Sequence, residues 1–593
     1  MQKQQKTFIT RRIRELGRVA ERLFCNPETF VGTVLANWFG KSFPGLPRPD
    51  LPYSEALACE TKFSTFVEML NSLEFLDGTY WLSSLYAMAV EDDLRKSLAM
   101  FFTPPSLTTG LLDDLTEQGV NFANQIFFDP ACGGAAFLAP ISIRMRDALR
   151  SRGADPSQIL EHIEAHLYGT DMDPTLCELS KQFLCMALYE EIEKTGLIPK
   201  FKIRQADSLT DLVSMFDSID VVVCNPPYRK MTADELKHLR IAFGDVIEAQ
   251  PNLYGLFIFL CVRLLRKGGY AALVTPTSFL SGQYFCKLRS FLMRNTDVAH
   301  IGMVSDRQGV FIDVEQETAL TVVRRIAESD CTQIRAKVSV VSSTGQYKSV
   351  GECLLPNAGA IWPIPRSVGD VELLKVASIS KFRLADYGYR IRIGSYVWNR
   401  DKRPGYESIK DVKRARVKTA LPLLWSRDIS AAGLVVFDDS EIARNNHRFV
   451  DLGIECHPSA VTRPSVILQR VTSNDQLRRL VAAPVPLNLF VKYGGFIGEN
   501  HIVILEQIIE NPVLEVSDLA KLLGTTPIDR FFRCISGATN VSAFELGQLS
   551  LPDPKKLQEE LSKGSLMEEA AFRSLGLAMG TNLTTLEPTQ LCP

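Results

Sequence analysis

At 593 residues the chain is long enough for about two to four domains, and a 46% hydrophobic fraction supplies their cores. A net charge of −2 excludes a polycation that coats nucleic acid along its whole length. Thirteen cysteines without a Cys-x-x-Cys pair, and seven histidines with no metal-ligand spacing among them, exclude a zinc module. They read as free thiols in a reducing cytosol, and no metal site is expected.

Residues 1–95 read as a helical region, with apolar residues at three-to-four spacing in 63–76 and 81–90. Residues 1–14 are basic and lack an apolar h-region, so they do not read as a signal peptide. No run approaches the ~20 apolar residues of a membrane span, so no membrane partner is expected. Asp50, Glu60 and Lys62 spell a carboxylate–carboxylate–lysine pattern that could hold a divalent cation in a nuclease. A nuclease needs these groups on adjacent strands, and the segment reads as helix. A fused nuclease is therefore only the alternative reading.

Residues 96–350 read as an α/β domain. Phe-Phe-Thr103-Pro104-Pro105 comes first. The apolar Ile-Phe-Phe then runs into Asp129-Pro-Ala131-Cys-Gly133-Gly, a strand followed by a glycine turn that lets backbone approach a ligand. It lacks the Gly-x-Gly-x-x-Gly spacing of dinucleotide sites. A second short strand ends at Gly-Thr-Asp171-Met172-Asp-Pro, whose carboxylate stands where ribose hydroxyls are held in such folds. The gap from Asp129 is about twice the usual ~20 residues, and an added helix near 156–165 accounts for it. A third strand ends at Asp207-Ser208. The fourth is Val221-Val-Val-Cys followed by Asn225-Pro226-Pro227-Tyr228. Three β-branched residues make a buried strand, and two prolines stop it. Asn225 and Tyr228 therefore sit on a stiff loop at the carboxyl end of a strand, where open α/β sheets bind ligands. The loop offers an amide oxygen, the Pro226 carbonyl and an aromatic face, a set suited to a planar ring bearing an NH2 group. Beyond it, a helix opening at Asn252 is expected to stop at Lys267-Gly-Gly269, before the strand Tyr270-Ala-Ala-Leu-Val-Thr-Pro276.

Asn225-Pro-Pro-Tyr228 resembles the catalytic motif of the S-adenosylmethionine-dependent amino-methyltransferases that act on adenine N6. The order Thr-Pro, glycine turn, Asn-Pro-Pro-Tyr and long C-terminal extension resembles the gamma class of DNA methyltransferases from restriction–modification and related defence systems. The resemblance covers residues 95–330 well and the later half loosely. It implies a class I methyltransferase sheet, doubly wound, with S-adenosyl-L-methionine as cofactor and double-stranded DNA as partner. It implies that Thr103, Pro104, Asp129, Ala131, Gly133, Asp171, Met172, Asp207 and Ser208 hold the cofactor. It implies that Asn225 to Tyr228 act on the amine and that Phe311 closes the other face of a flipped base. The ring face of Tyr228 does the stacking on this reading, so Tyr228→Phe is expected to be mild. The family also implies a cytoplasmic protein, a monomer on DNA, with a separate restriction endonuclease or other defence proteins as partners. Protein-glutamine methyltransferases share Asn-Pro-Pro-Tyr but lack the upstream Thr-Pro element. A non-catalytic DNA-binding subunit is the remaining alternative, against which the intact motifs argue.

Ile361-Trp-Pro-Ile-Pro-Arg366 looks like a junction. Residues 367–593 then read as a mixed α+β target-recognition domain. Within 381–418 twelve Lys and Arg stand against four Asp and Glu, interleaved with Tyr387, Tyr389, Tyr396, Trp398 and Tyr406. Such a stretch suits phosphate contact and base stacking.

Overall fold

The computed structural model describes residues 3–91, 102–249, 251–304, 317–327, 334–342, 344–356, 359–439, 447–472, 476–537 and 540–578. The chain divides into two compact units, one of residues 1–279 and 284–360, the other of residues 280–283 and 361–593.

In the first unit, helices α1 (Lys3–Arg22), α2 (Pro27–Ser42), α3 (Glu55–Ala58), α4 (Thr61–Ser72) and α5 (Phe75–Ala89) precede any strand. Apolar periodicity explains their burial: Phe63, Phe66, Val67 and Leu70 of α4 share one buried face. These helices belong to the same hydrophobic core as the sheet that follows, which runs from Ile9 to Val341 without a break. Residues 1–95 and 96–350, set apart in the sequence by helical against α/β patterning, thus share one hydrophobic core. Asp50 lies in a bend, Glu60 precedes α4 and pairs with Arg22 at 2.9 Å, and Lys62 is on α4. The three are not on adjacent strands, so they lack the nuclease arrangement.

The first five strands are β1 (Phe127–Asp129), β2 (Leu167–Asp171), β3 (Lys202–Gln205), β4 (Ile219–Cys224) and β5 (Leu265–Pro276), all parallel. Then come β6 (Thr296–Val304), β7 (Thr318–Arg325), β8 (Arg335–Val341) and β9 (Tyr347–Leu354). They form one nine-stranded sheet in the order β3-β2-β1-β4-β5-β7-β6-β8-β9. β7 inserts antiparallel between β5 and β6. This is the doubly wound class I methyltransferase sheet with two strands added at one edge. The strand order reverses between β1 and β4, which makes their carboxyl ends the binding crevice.

Two local expectations meet the structure differently. The added helix is present as Pro156–His166, with a capping box between Asp155 and Gln158. Lys267-Gly-Gly269, by contrast, is not a helix stop. The helix ends at Leu264 and β5 starts at once. Gly268 (φ +82°) and Gly269 form a bulge that shifts the register between Ile219 and Val221. A Cβ on Gly269 would fall 2.6 Å from the Asp220 carbonyl oxygen, so only glycine lets the strands close up.

The second unit holds two four-stranded sheets. One orders β10 (Tyr389–Ile393), β17 (Ile502–Gln507), β14 (Ser465–Gln469) and β15 (Ala482–Pro484). The other orders β11 (Gly405–Tyr406), β13 (Phe449–Asp451), β12 (Ala420–Leu424) and β16 (Ile497–Gly498). Helices Val516–Leu523, Thr526–Ile535, Pro554–Ser562 and Met567–Leu575 follow. Trp362 of the junction is fully buried here. Among the described residues no helix is long and apolar enough to cross a membrane.

Candidate active site

β1 delivers Asp129 to the crevice, 1% exposed, with one oxygen accepting the Ala131 N–H at 3.0 Å. The chain then turns through Gly133 (φ +50°) and Ala135 (φ +56°) before entering the helix Leu138–Arg150. Asp171 at the end of β2 reaches back across this turn. Its Oδ2 accepts the Gly133 N–H at 3.0 Å and its Oδ1 accepts the Asp173 N–H at 2.9 Å. Cys132 ties the same turn to β2 by donating its N–H to the Thr170 carbonyl at 2.9 Å. Burial disfavours the charged form of both acids. It pushes Asp129 up to about 8 and Asp171 up to about 6, with the charge of Asp171 adding to the shift at Asp129. Two buried carboxyl groups in one crevice, each more stable as an ion once a positive charge stands beside it, form a receptor for cationic groups.

The other proposed cofactor residues gather round this turn. Thr103 and Pro104 lead into the helix Pro105–Glu117. Thr103 is 2% exposed, and its hydroxyl has no partner among the described residues. It lines a narrow cleft with Phe102, Gly134 and the α5 residues Thr79, Tyr80 and Ser83. Met172 is exposed at the rim, its carbonyl held by Gln205 at 3.1 Å. Asp207 is exposed, and its carboxylate caps the short helix Ser208–Asp211 through the Leu209 N–H. Ser208 is committed within the protein: its hydroxyl donates to the Pro130 carbonyl at 2.5 Å and pairs with Thr170 at 2.8 Å. It shapes the Asp129 loop from behind. An orphaned buried hydroxyl, two acids raised by burial and an exposed thioether flanking a third acid fit a small cationic ligand with hydroxyls and a flat ring.

At the other side of the crevice β4 is buried along its whole length and ends at Cys224. Pro226 and Pro227 stop it, and Tyr228 folds back. The Tyr228 hydroxyl stands 2.7 Å from Asn225 Oδ1 and 2.9 Å from the Val274 carbonyl of β5, and these two acceptors share its one proton. Its ring stands edge-on to Tyr254, with centroids 6.1 Å apart, and Tyr254 is anchored to Ser278 at 2.6 Å. Burial raises the Tyr228 phenol well above its usual range, so it stays a donor at any working pH. The hydroxyl thus fixes the orientation of the Asn225 amide, a role the sequence does not reveal. Phe311 lies outside the described residues.

Sequence reasoning missed Tyr254, the Val274 carbonyl and the α5 residues Tyr80, Ser83 and Tyr86. Helical periodicity alone marks α5 as core, and nothing local shows what that core faces.

The basic stretch of the second unit is rearranged relative to expectation. Tyr387, Tyr389 and Tyr396 are buried, their hydroxyls bonded to the Pro552 carbonyl, the Leu514 carbonyl and the His447 ring. They are core residues and offer no stacking face. Arg390 and Arg392 pair with Glu506, and Arg403 with Asp401. Trp398 is 64% exposed, and Lys410, Lys413, Arg414, Arg416 and Lys418 are exposed on and after the short helix Ile409–Ala415.

Residues 165–311 match the Eco57I restriction-modification methylase family. The type II methyltransferase M.BsuBI of Bacillus subtilis is 25% identical over 489 residues, covering 77% of this chain and 88% of the relative. M.PstI of Providencia stuartii is 24% identical over 355 residues, 57% of this chain and 66% of the relative. The type IIL restriction-modification enzyme MmeI, solved in complex with DNA, superposes with a TM-score of 0.55 at 12% identity. That match covers 95% of this chain and 90% of MmeI. Residues 165–311 are thus similar to a restriction-modification methylase domain, and the fold is that of a class I methyltransferase.

Proposed function

We propose that this chain is a site-specific DNA methyltransferase that moves a methyl group from S-adenosyl-L-methionine to N6 of an adenine turned out of duplex DNA. The observation that carries the reading is the Asn225-Pro-Pro-Tyr228 loop beside the acid-lined glycine turn, one on each side of the point where the strand order reverses. When bound, the cofactor supplies an electrophilic methyl group. Asp129, Asp171, Asp207, Met172 and Thr103, with the backbone at Ala131 and Gly133, are the groups that would hold it.

Adenine N6 is a weak nucleophile because its lone pair is delocalised into the ring. Asn225 Oδ1 and the Pro226 carbonyl accept its two protons, which favours a more tetrahedral nitrogen with a localised lone pair. An amide oxygen accepts two hydrogen bonds, so Asn225 serves Tyr228 and the base together. No strong base is needed, since the amine proton becomes acidic only after transfer, and positioning supplies most of the rate. The target cannot be reached inside a duplex, and unstacking it costs a few kcal/mol. Stacking on Tyr228 returns ~1–3 kcal/mol of that. Phe311 is proposed for the opposite face of the base. The second unit is proposed to read the DNA site, and a separate restriction endonuclease is the natural counterpart of such an activity.

Tritiated-methyl transfer to duplex DNA, RNA and protein in parallel tests the reading, followed by modification sequencing of DNA from an expressing host. Methylation of adenine in one sequence context is expected. Label in protein glutamine, or in no substrate, would overturn it.

A further inference from the structure

The N-terminal helices reach the crevice directly. Ser83 of α5 lies so close to the glycine turn that a Cβ on Gly134 would fall 2.0 Å from its Oγ. One turn along α5, Tyr86 is 4% exposed and donates its hydroxyl to Asp173 Oδ2 at 2.9 Å. The other oxygen of Asp173 caps the helix Pro174–Ala187, accepting the N–H groups of Thr175 at 2.8 Å and Leu176 at 3.0 Å. Asp173 in turn gives its own N–H to Asp171, and Asp171 accepts that of Gly133. One continuous line of hydrogen bonds therefore runs from an N-terminal helix to the turn that faces the cofactor.

We propose that Tyr86 is a positioning residue for cofactor binding: its hydroxyl pins Asp173, and Asp173 sets the rotamer of Asp171 and the seat of Gly133. α5 is then part of the cofactor site and not an appended cover. Asp173 is 8% exposed. Without the Tyr86 donor, one of its oxygens is left buried and unpaired, a costly state. The carboxylate relieves it by turning, which loosens the cap and moves the N–H that holds Asp171. The inference rests on the S-adenosylmethionine reading above.

Isothermal titration with S-adenosylmethionine tests it without relying on turnover. The full-length proteins are wild type, Tyr86→Phe, Tyr189→Phe, Asp173→Asn and the Tyr86→Phe/Asp173→Asn double variant. Tyr189 is the control: its hydroxyl donates to the Pro44 carbonyl at 2.8 Å, tying the same N-terminal region to the start of the next helix, Tyr189–Thr195, away from the cap that Asp173 makes. Tyr86→Phe should raise the Kd about tenfold, the lower range for a hydrogen bond to a charged group. The KM for cofactor should rise with it, while kcat at saturation stays within about twofold. Tyr189→Phe should leave the Kd at the wild-type value. In the Asp173→Asn background the Tyr86 change should add nothing. The proposal is overturned if Tyr86→Phe binds like wild type, if Tyr189→Phe weakens binding equally, or if the two effects add in the double variant. It is also overturned if Tyr86→Phe lowers only the binding-competent fraction, the mark of a fold defect. Wild-type protein that binds no cofactor would instead overturn the underlying reading, a result distinct from all of these.

Discussion

Tyr228→Phe separates the ring of Tyr228 from its hydroxyl, and the structure gives the two different work. The ring remains to stack, while the donor to Asn225 Oδ1 and Val274 O is lost. A neutral intramolecular hydrogen bond contributes ~0.5–1.5 kcal/mol net. At about 1.4 kcal/mol per decade of rate, that predicts a fall in kcat of roughly 2- to 12-fold. The mild effect expected from a stacking-only role is thereby replaced by a measurable one. Asn225→Ala removes the acceptor of the amine proton itself, and loss of one such preorganised group typically costs ~10^2–10^3 in kcat. Tyr228→Ala forfeits stacking worth ~1–3 kcal/mol per base in addition to the hydroxyl. The assay is single-turnover methyl transfer at saturating enzyme and cofactor, with cofactor affinity measured separately. The expected order of rates is wild type, Tyr228→Phe, Tyr228→Ala, Asn225→Ala, with cofactor Kd unchanged throughout. If Tyr228→Phe turns over at the wild-type rate, the hydroxyl does not orient the amide and the argument from its hydrogen bonds fails.

Cofactor affinity should depend on pH. Asp129 and Asp171 are raised to about 8 and about 6, so the protein without ligand holds protons that a cationic ligand must expel. Affinity should tighten as pH rises from 6 to 8, by at most about tenfold per unit per proton released. Asp129→Asn should flatten the upper part of the profile, and a flat wild-type profile would refute the pairing of these acids with a cation. The same raised values favour the protonated folded state, so the stability of the ligand-free protein should fall as pH climbs from ~4 to 8, read as Tm. Gly134→Ala should destabilise by ~1–3 kcal/mol through overpacking against Ser83; chemical denaturation measures it, and Ser83→Gly should recover part of the loss. Replacing Lys413, Arg414 and Arg416 by Gln should weaken binding to every duplex and reduce the log–log salt slope by up to ~3, while the methylated sequence stays the same. A changed sequence preference would make these residues base readers.

The ends of β1, β2 and β4 are legible in the sequence because each couples a short apolar run to a residue type that stops it. Pro226 and Pro227 stop β4, the glycine turn ends β1 and Asp173-Pro174 ends β2. Those signals are local: backbone geometry is dictated by the residues that occupy it. They suffice to put Asp129, Asp171 and Asn225 at carboxyl ends of strands. What they cannot reveal is which surface a helix meets. The periodicity of α5 marks a buried face but not that Ser83 backs Gly134 or that Tyr86 reaches Asp173. The tyrosines interleaved with arginines in 381–418 resemble a stacking surface by composition. Packing instead turns Tyr387, Tyr389 and Tyr396 inward and leaves Trp398 exposed. Lys267-Gly-Gly269 carries a helix-stop signal, yet the approach of Asp220 makes it a bulge within β5. In each case the deciding contact comes from residues distant in sequence, and only the folded chain brings those together.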